Sequence, residues 1–241
     1  MTHFRSGSMC ISHINSNLGE TNAHAPPVDS PFFLAITGFT FGQEPLIFQN
    51  ATPVEPSRYE KIDGDPMLFK DWQNGRIIGK GGTIFLDLTL NYNGYSHGFE
   101  VKQGDHYIEL DESQCLMVEV FQGKDTMRFV TELLPPVQGQ WVEQIYVGNG
   151  IYCVKHFKVE VSTQVVQNVG NKVEFKRFNP ISHYFFLVDG EMKEFRPRRK
   201  VVLKMLGDSK DIEKYVDDHA IDVETDAGLK QALAYYGQTK Q

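Results

Sequence analysis

One feature constrains the fold of this chain more than any other: from Gly79 to Leu203, short segments of alternating apolar and polar residues follow one another, separated by tight-turn sequences. Period-two alternation rich in β-branched and aromatic residues is typical of β-strands. The alternation predicts three strands whose apolar residues share one face: Ile84, Leu86, Leu88 and Leu90; Leu116, Val118 and Val120; and Val159, Val161, Thr163 and Val165.

The turns carry their own chemistry. Asp189-Gly190 separates the apolar run 184–188 from the run 191–195, and Asp-Gly suits a type I′ turn because both central residues need positive φ. Gly148-Asn149-Gly150 interrupts a second pair of apolar runs in the same way. Turns at such short spacing leave no room for crossover helices, so neighbouring strands should be antiparallel. We therefore predict a mainly β protein, an antiparallel meander that is sandwich-like or barrel-like.

After Leu206 the periodicity changes. Asp208-Ser209 is a helix N-cap pair, followed at helical spacing by Ile212, Val216 and their neighbours. A second helix is predicted to start near Thr225 and to end at Gly237, its C-cap. The pattern thus predicts a C-terminal pair of short amphipathic helices that must pack on the β-domain to be stable.

These patterns divide the chain into three parts. Residues 1–45 are predicted to be a disordered or leader segment, residues 46–206 an antiparallel β-domain, and residues 207–241 the helical pair packed on it. Residues 31–43 have the length of a signal-peptide apolar region, but they lie far from the N-terminus and Asp29 precedes them where Lys or Arg is expected. The alternative is a buried strand or short helix.

Composition excludes several classes of partner and chemistry. The 241 residues carry a formal charge of −7, which argues against nucleic acid as the principal partner because phosphate contacts need a basic surface. No run of about 18 apolar residues is present, so no transmembrane segment is predicted. Cys115 and Cys153 are interpreted as small core residues in preference to a disulfide pair.

Gly94-Tyr95-Ser96-His97-Gly98 matches the G-x-S-x-G nucleophile elbow. That motif requires a sharp turn from a strand into a helix, which exposes the serine hydroxyl. The residues that follow Gly98 alternate like another strand, so a glycine-rich hairpin loop is the favoured interpretation and no catalytic residue is predicted. The alternative is a serine hydrolase that uses Ser96 with His156 or His183.

The histidines form no H-x-H or H-E-x-x-H pattern, although His97, His106, His156 and His183 could converge in space. Neither a metal site nor a cofactor is predicted. Asp87, Glu119 and Glu132 lie within otherwise apolar strands and are interpreted as solvent-facing positions of a one-sided sheet.

A basic cluster precedes an acidic C-terminal part. Arg196, Arg198, Arg199 and Lys200 are predicted as a binding site for an anion, such as an acidic lipid, glycan or protein. The competing interpretation is internal pairing with the acidic residues between Gly207 and Ala227. Opposite charges adjacent in sequence favour internal pairing.

The segment from Gly64 through Trp72, followed by Gly75 and by Leu90-Asn91-Tyr92-Asn93, resembles the opening of an uncharacterised family of exported β-rich proteins from Bacteroidota-type bacteria. The order of later motifs agrees with it, and the resemblance covers about Gly64 to Gly237: Met127 to Val130, Tyr184 to Leu187, Phe195 to Leu203 and Asp211 to Tyr236. It implies an exported protein without a catalytic assignment.

The sequence therefore predicts a non-catalytic, exported binding or structural module for an unknown ligand or protein partner. Its expected location is periplasmic or secreted, with the cytoplasm as the alternative. A serine hydrolase that uses Ser96 and an anion-binding module that uses the basic cluster are the alternative functions.

Overall fold

A computed structural model describes residues 48, 51–132, 134–168 and 171–239. The predicted leader segment 1–45, with its apolar stretch 31–43, lies outside the described residues. In the described part, twelve strands form one sheet: β1 (Thr52–Pro53), β2 (Ile62–Asp63), β3 (Gln73–Gly79), β4 (Ile84–Asn93), β5 (Gly98–Gln103), β6 (His106–Glu109), β7 (Cys115–Gln122), β8 (Asp125–Thr131), β9 (Trp141–Gly148), β10 (Ile151–Asn168), β11 (Asn171–Val188) and β12 (Glu191–Phe195).

The sheet joins two antiparallel meanders. Its strand order is β1-β6-β5-β4-β3-β7-β8-β9-β10-β11-β12, so β3 stands between β4 and β7, where the chain passes from the first meander to the second. The short strand β2 lies off this path and pairs with β11 in parallel. The predicted mainly β, antiparallel fold is confirmed.

Two hairpin turns have the backbone that their sequence predicts. Asp189 and Gly190 have φ of 52° and 82° between β11 and β12, and Asn149 and Gly150 have φ of 51° and 74° between β9 and β10. Both positions of a type I′ turn need positive φ, which matches the right-handed twist of the flanking strands. The residues at these two positions therefore determine both hairpin turns.

The β10–β11 hairpin has two strands of 18 residues each. β9 pairs only with Ile151–Lys155 of β10, and β12 pairs only with Tyr184–Val188 of β11. Most of the hairpin therefore extends past its neighbours, and Val165, Val166 and Val173 near its end are exposed.

Bulges change which residues of β4 and β7 face the core. Asp87 has a φ of 55°, and the register against β3 shifts there. As a result Phe85 and Leu90 pack into the core, whereas Leu86 is 60% exposed and Ile84 is 52% exposed. The prediction that Ile84 and Leu86 share a face with Leu90 is therefore wrong. A second register shift lies between Ile78 and Gly79 against β7, where Cys115 is buried and Leu116 is 54% exposed.

Three helices follow the sheet: α1 (Arg199–Met205), α2 (Lys210–Asp218) and α3 (Asp226–Thr239). The predicted C-terminal pair is present as α2 and α3. Residues 199–205 were predicted as the end of the β-region, and that prediction is wrong. Pro197 follows β12 and precedes the helix, and Val202 and Leu206, one helical turn apart, are both buried beneath it.

The second predicted helix begins as expected, since the Gly228 amide donates to Thr225 Oγ1 at 3.1 Å. It does not end at Gly237. Gly237 lies inside α3, where a Cβ would stand 3.0 Å from the Tyr146 hydroxyl, so glycine serves close packing of the helix on β9.

The helices and the sheet share one apolar core. Ile145 and Phe186 from the strands pack in the same cluster as Val202, Ile212 and Leu229 from the three helices. Lys155 of β10 links the sheet to the start of α3. Its Nζ lies 2.5 Å from Oδ2 of Asp226, the first residue of α3, and 3.5 Å from Oε2 of Glu143 on β9. A second core cluster lies under β3, β4, β5 and β7, and it contains Leu90, Phe99 and Trp141.

Cys115 and Cys153 are free thiols in these two separate clusters, as the favoured interpretation predicted. Burial raises the pKa of each thiol to about 12, so both are protonated at neutral pH. None of the helices in the described part of the chain is long and apolar enough to cross a membrane.

Candidate ligand-binding site

The segment between β1 and β3 pairs with the end of β4 through its backbone and also contacts β5 and β6. The Leu68 amide donates to the Tyr92 carbonyl at 2.8 Å, and the Gly94 amide donates to the Pro66 carbonyl at 2.9 Å. The Asn91 side chain donates to the Phe69 carbonyl at 2.8 Å and accepts from the Phe69 amide at 3.2 Å. These contacts fix the position of a segment that has almost no strand structure of its own.

Glu100 is the floor of a pocket beneath this segment. It projects from β5 and is 1% exposed. Arg58 forms an ion pair and hydrogen bond with Oε1, and Asn93 Nδ2 donates to the same oxygen at 2.8 Å. Burial raises the pKa of Glu100, and the hydrogen bond from Asn93 and the charge of Arg58 offset that effect only in part.

Aromatic side chains form the walls. The rings of Trp72 and Tyr107 have centroids 5.2 Å apart, and the Arg58 guanidinium lies 4.5 Å from the centroid of Tyr59. The pocket is open to solvent on one side and has a volume of about 320 Å³. The pocket is lined by Pro56, Arg58, Tyr59, Gly64, Asp65, Pro66, Met67, Trp72, Glu100 and Tyr107.

Local sequence explains how these side chains reach one place. Pro56 opens a 3₁₀ turn over Pro56–Tyr59, and its fixed φ suits the first position of a helical turn. Arg58 also donates to the Glu55 carbonyl at 3.1 Å across this turn, which orients its guanidinium toward Glu100. Tyr107 stands on β6 opposite Lys102 and beside the position of Glu109, so register places it on the same face as Glu100.

The pocket can hold a small ligand by stacking and by hydrogen bonding. A volume near 300 Å³ is at the lower end of the range for small-molecule sites, which combine apolar walls with a few fixed polar groups. The charge of Glu100 is already paired with Arg58 inside the protein. A neutral ligand therefore leaves that pair intact, whereas a charged ligand would have to compete with it.

The G-x-S-x-G motif forms the turn between β4 and β5. Strand β5 begins at Gly98, so the helix that a nucleophile elbow requires is absent from this described segment. The Ser96 hydroxyl donates to Glu109 Oε2 at 2.7 Å, and no described histidine hydrogen-bonds to it. The structure thus brings Ser96 to a carboxylate rather than to His156 or His183.

The basic cluster straddles the end of β12 and the start of α1. Arg199 is paired internally, since its Nη2 lies 2.8 Å from Asp217 Oδ1 and 4.0 Å from Glu213 Oε1 on α2. Arg196, Arg198 and Lys200 are exposed and form no ion pair with the described residues. The predicted anion site therefore retains three unpaired cations, and it stays a prediction.

His156 lies close to two of the other three histidines considered in the sequence. The rings of His97 and His156 have centroids 6.1 Å apart, and His156 stands directly opposite His183 across β10 and β11. His106 lies elsewhere, exposed on β6. Among the described residues, no group of three or more His, Cys, Asp or Glu side chains is arranged around one metal position.

Two strand carboxylates are buried rather than solvent-facing, so that interpretation is wrong for Glu119 and Glu132, which are 3% and 6% exposed. Glu119 is held by Arg76 and, at 2.8 Å, by Arg128. Burial alone would raise the pKa of Glu119, but the hydrogen bonds and charges of both arginines lower it below the usual value. Glu132 accepts the Tyr152 hydroxyl at 2.8 Å. Both therefore serve as structural anchors.

The pocket residues Arg58, Tyr59, Trp72, Glu100 and Tyr107 were not singled out from the sequence. One signal was present, because Glu100 lies between the apolar Phe99 and Val101 in a short strand. Nothing local connects it with Arg58, which lies 42 residues away. The pairing depends on the path of the segment between β1 and β3, which periodicity does not predict.

Comparisons with family models, curated proteins and solved structures found no match for this chain. The resemblance to an exported Bacteroidota-type family therefore stays a prediction.

Proposed function

We propose that the protein is a non-catalytic binding module that takes a small, neutral, hydroxyl-rich ring, the chemistry of a pyranose sugar, into the Glu100 pocket. The observation that carries the proposal is a carboxylate 1% exposed, held by Arg58 and Asn93, at the floor of an aromatic-walled pocket. Buried charge is costly to a fold unless it is paired, so such a constellation has a candidate role beyond packing.

The side chains that line the Glu100 pocket suggest the class of ligand that it binds. Sugar rings present C–H groups on one face, and these pack on aromatic rings such as Trp72 and Tyr107. Their hydroxyl groups both donate and accept, so they suit fixed polar groups such as the Glu100 carboxylate and the Arg58 guanidinium.

The hydrogen bonds of Glu100 support a binding role without catalysis. Its Oε1 accepts from both Arg58 and Asn93, which favours a fixed structural carboxylate over a group that exchanges protons with substrate. Ser96, the alternative nucleophile, donates to Glu109 and is followed by a strand. Hydrolysis by Glu100 or by Ser96 would require these hydrogen bonds to be broken, whereas ligand binding would not.

Trp72 supplies the test. The chain has two tryptophans, and Trp141 is 1% exposed in the core, so a Trp141→Phe background reports on Trp72 alone. We expect saturable fluorescence changes with glucose, galactose or N-acetylglucosamine, and much weaker changes with glucuronate and glucosamine. Glu100→Gln and Tyr107→Ala should weaken binding at least tenfold, whereas Phe121→Ala, outside the pocket, should not.

Two results would refute this proposal. One is the absence of saturation with every neutral sugar, or saturation unaffected by Glu100→Gln and Tyr107→Ala. The other is release of nitrophenol from nitrophenyl glycosides, or Ser96-dependent labelling by a fluorophosphonate probe, either of which would indicate catalysis.

We further propose that the protein is exported to the periplasm or cell surface, a location supported by the resemblance of residues 64–237 to exported proteins. Fractionation of cells that express the full chain tests this. Recovery with a periplasmic marker is expected, and recovery with a cytoplasmic marker would favour the alternative.

A second candidate function, anion binding, is favoured by the three exposed cations Arg196, Arg198 and Lys200, which have no ion-pair partner in the described part of the chain. Retention on immobilised heparin tests it. Changing these residues together with Arg199 to Ala should lower the salt needed for elution, whereas changing the exposed Lys61, Lys70 and Lys124 should have a smaller effect.

A further inference from the structure

Two imidazoles, one buried and one with its side chain 28% exposed, are partners across the base of the β10–β11 hairpin. His156 of β10 and His183 of β11 are direct cross-strand partners, on the sheet face opposite Lys155. Side chains in such pairs have Cβ atoms about 4.5–5.5 Å apart, so their rings lie within reach of one common atom. His156 is 5% exposed.

One ring nitrogen of each histidine is left without a hydrogen-bond partner among the described residues. Nε2 of His156 and Nε2 of His183 are buried and form no hydrogen bond with the described residues. Buried polar atoms without partners are rare in folded proteins, and each one calls for an explanation. Here two occur on directly opposed side chains.

Glu194 hydrogen-bonds to His183 and orients its ring. Its Oε1 lies 2.7 Å from His183 Nδ1, so the Nδ1–H donates to the carboxylate and Nε2 is the ring nitrogen that remains for a ligand. A carboxylate behind the distal nitrogen is the usual second contact of a metal-binding histidine, because it sets the ring orientation and raises its basicity.

His156 is buried close to His97, His183 and Lys158. Burial, together with the neighbouring His97, His183 and Lys158, lowers the pKa of His156 to about 4. Lys158 is itself paired with Glu160 at 2.7 Å, which reduces its repulsion of a cation.

His97 lies close to His156. It has a φ of 63°, uncommon for a residue with a side chain, and its ring centroid lies 6.1 Å from that of His156. The loop that carries it is docked on β10, since the Val159 amide donates to the Gly94 carbonyl at 2.8 Å. His97 is thus held beside the pair.

We propose that His156 and His183 form a two-histidine site for a divalent transition metal such as Zn²⁺, Ni²⁺ or Cu²⁺, completed by water and flanked by His97. Imidazole nitrogen suits these ions, and the two buried Nε2 atoms without partners supply two such ligands. This site lies apart from the Glu100 pocket and does not depend on the function proposed for it.

The test is a titration of the full chain with Zn²⁺ and with Cu²⁺. His3, His13 and His24 near the N-terminus are first changed to Ala, so that they do not contribute. We expect one ion per chain by calorimetry, and a Cu²⁺ paramagnetic resonance spectrum with splitting from two nitrogens. His156→Asn and His183→Asn should each weaken binding at least tenfold, His97→Asn less, and the exposed His106→Asn not at all.

Folding of each variant is checked by its circular dichroism and its unfolding midpoint. The nitrogen splitting does not depend on stability, so it distinguishes ligation from a structural role of either histidine. Absence of stoichiometric binding, or binding that persists with unchanged nitrogen splitting in the His156→Asn/His183→Asn double variant, would overturn the proposal.

Discussion

Arg58 and Glu100 are 42 residues apart in the sequence, yet they form an ion pair that joins the segment between β1 and β3 to the middle of β5. The carboxylate is 1% exposed and the guanidinium side chain is 24% exposed. The pair therefore both closes the floor of the pocket and fixes the segment that carries Tyr59 and part of the walls.

Arg58→Ala should destabilise the fold by about 2–3 kcal/mol, because it leaves a buried carboxylate without its cation. Urea unfolding measures the change. Arg177→Ala is the matched control, since Arg177 pairs with Asp63 at 3.6 Å with both side chains more than half exposed, and it should cost less than about 1 kcal/mol. Equal effects of the two changes would contradict the described burial of Glu100.

The pH dependence of stability should report on the same carboxylate. The pKa of Glu100 is raised in the folded protein, so the folded state binds the proton more tightly than the unfolded chain. Its contribution to stability is therefore greatest below the ordinary glutamate pKa and falls as the pH rises toward the folded pKa. Arg58→Ala raises the folded pKa further, so the decline should extend to higher pH, and Glu100→Gln should remove this component.

The bulge at Asp87 makes opposite predictions for two leucines of β4. Leu90 is fully buried and Leu86 is 60% exposed, although strict alternation would place them on one face. Leu90→Ala should therefore cost about 2–5 kcal/mol, whereas Leu86→Ala should stay within about 0.5 kcal/mol. Thermal unfolding of the two variants measures the difference. Similar losses of stability would indicate a regular strand without the bulge.

Gly94 has no room for a side chain. A Cβ there would lie 2.6 Å from a ring carbon of Phe157 and 2.9 Å from Val159 Cγ2, so Gly94→Ala should push the 94–97 turn off β10. We expect a loss of about 1–3 kcal/mol and a changed environment for His97. Gly81→Ala is the control, because a Cβ there would meet no atom within 4 Å. If the NMR signals of His97 were unaffected by Gly94→Ala, the docking of this turn would be in error.

How far the sequence predicts this fold depends on the range of the interactions involved. The reversal at Asp189-Gly190 is determined by two residues, and it was predicted correctly. The faces of β4 were not predicted correctly, because the bulge at Asp87 is set by its register against the preceding strand β3 and not by the alternation within β4.

Residues 199–205 show a second limit. Val201 and Val202 have strand propensity, but Pro197 interrupts the chain before them and the buried contacts of Val202 and Leu206 favour a helix. Tertiary packing thus overrides a local preference. The Glu100 pocket shows the same limit more strongly, since its residues come from three separate parts of the chain.

The proposed binding role is tested most directly by amide and indole NMR shifts recorded while the full chain is titrated with N-acetylglucosamine, glucose and galactose. Our account predicts that shifts with at least one of these sugars concentrate at the Trp72 indole and the amides near Glu100 and Tyr107, and that Glu100→Gln abolishes them. Shifts confined to another surface, or no shifts with any of the three sugars, would contradict it.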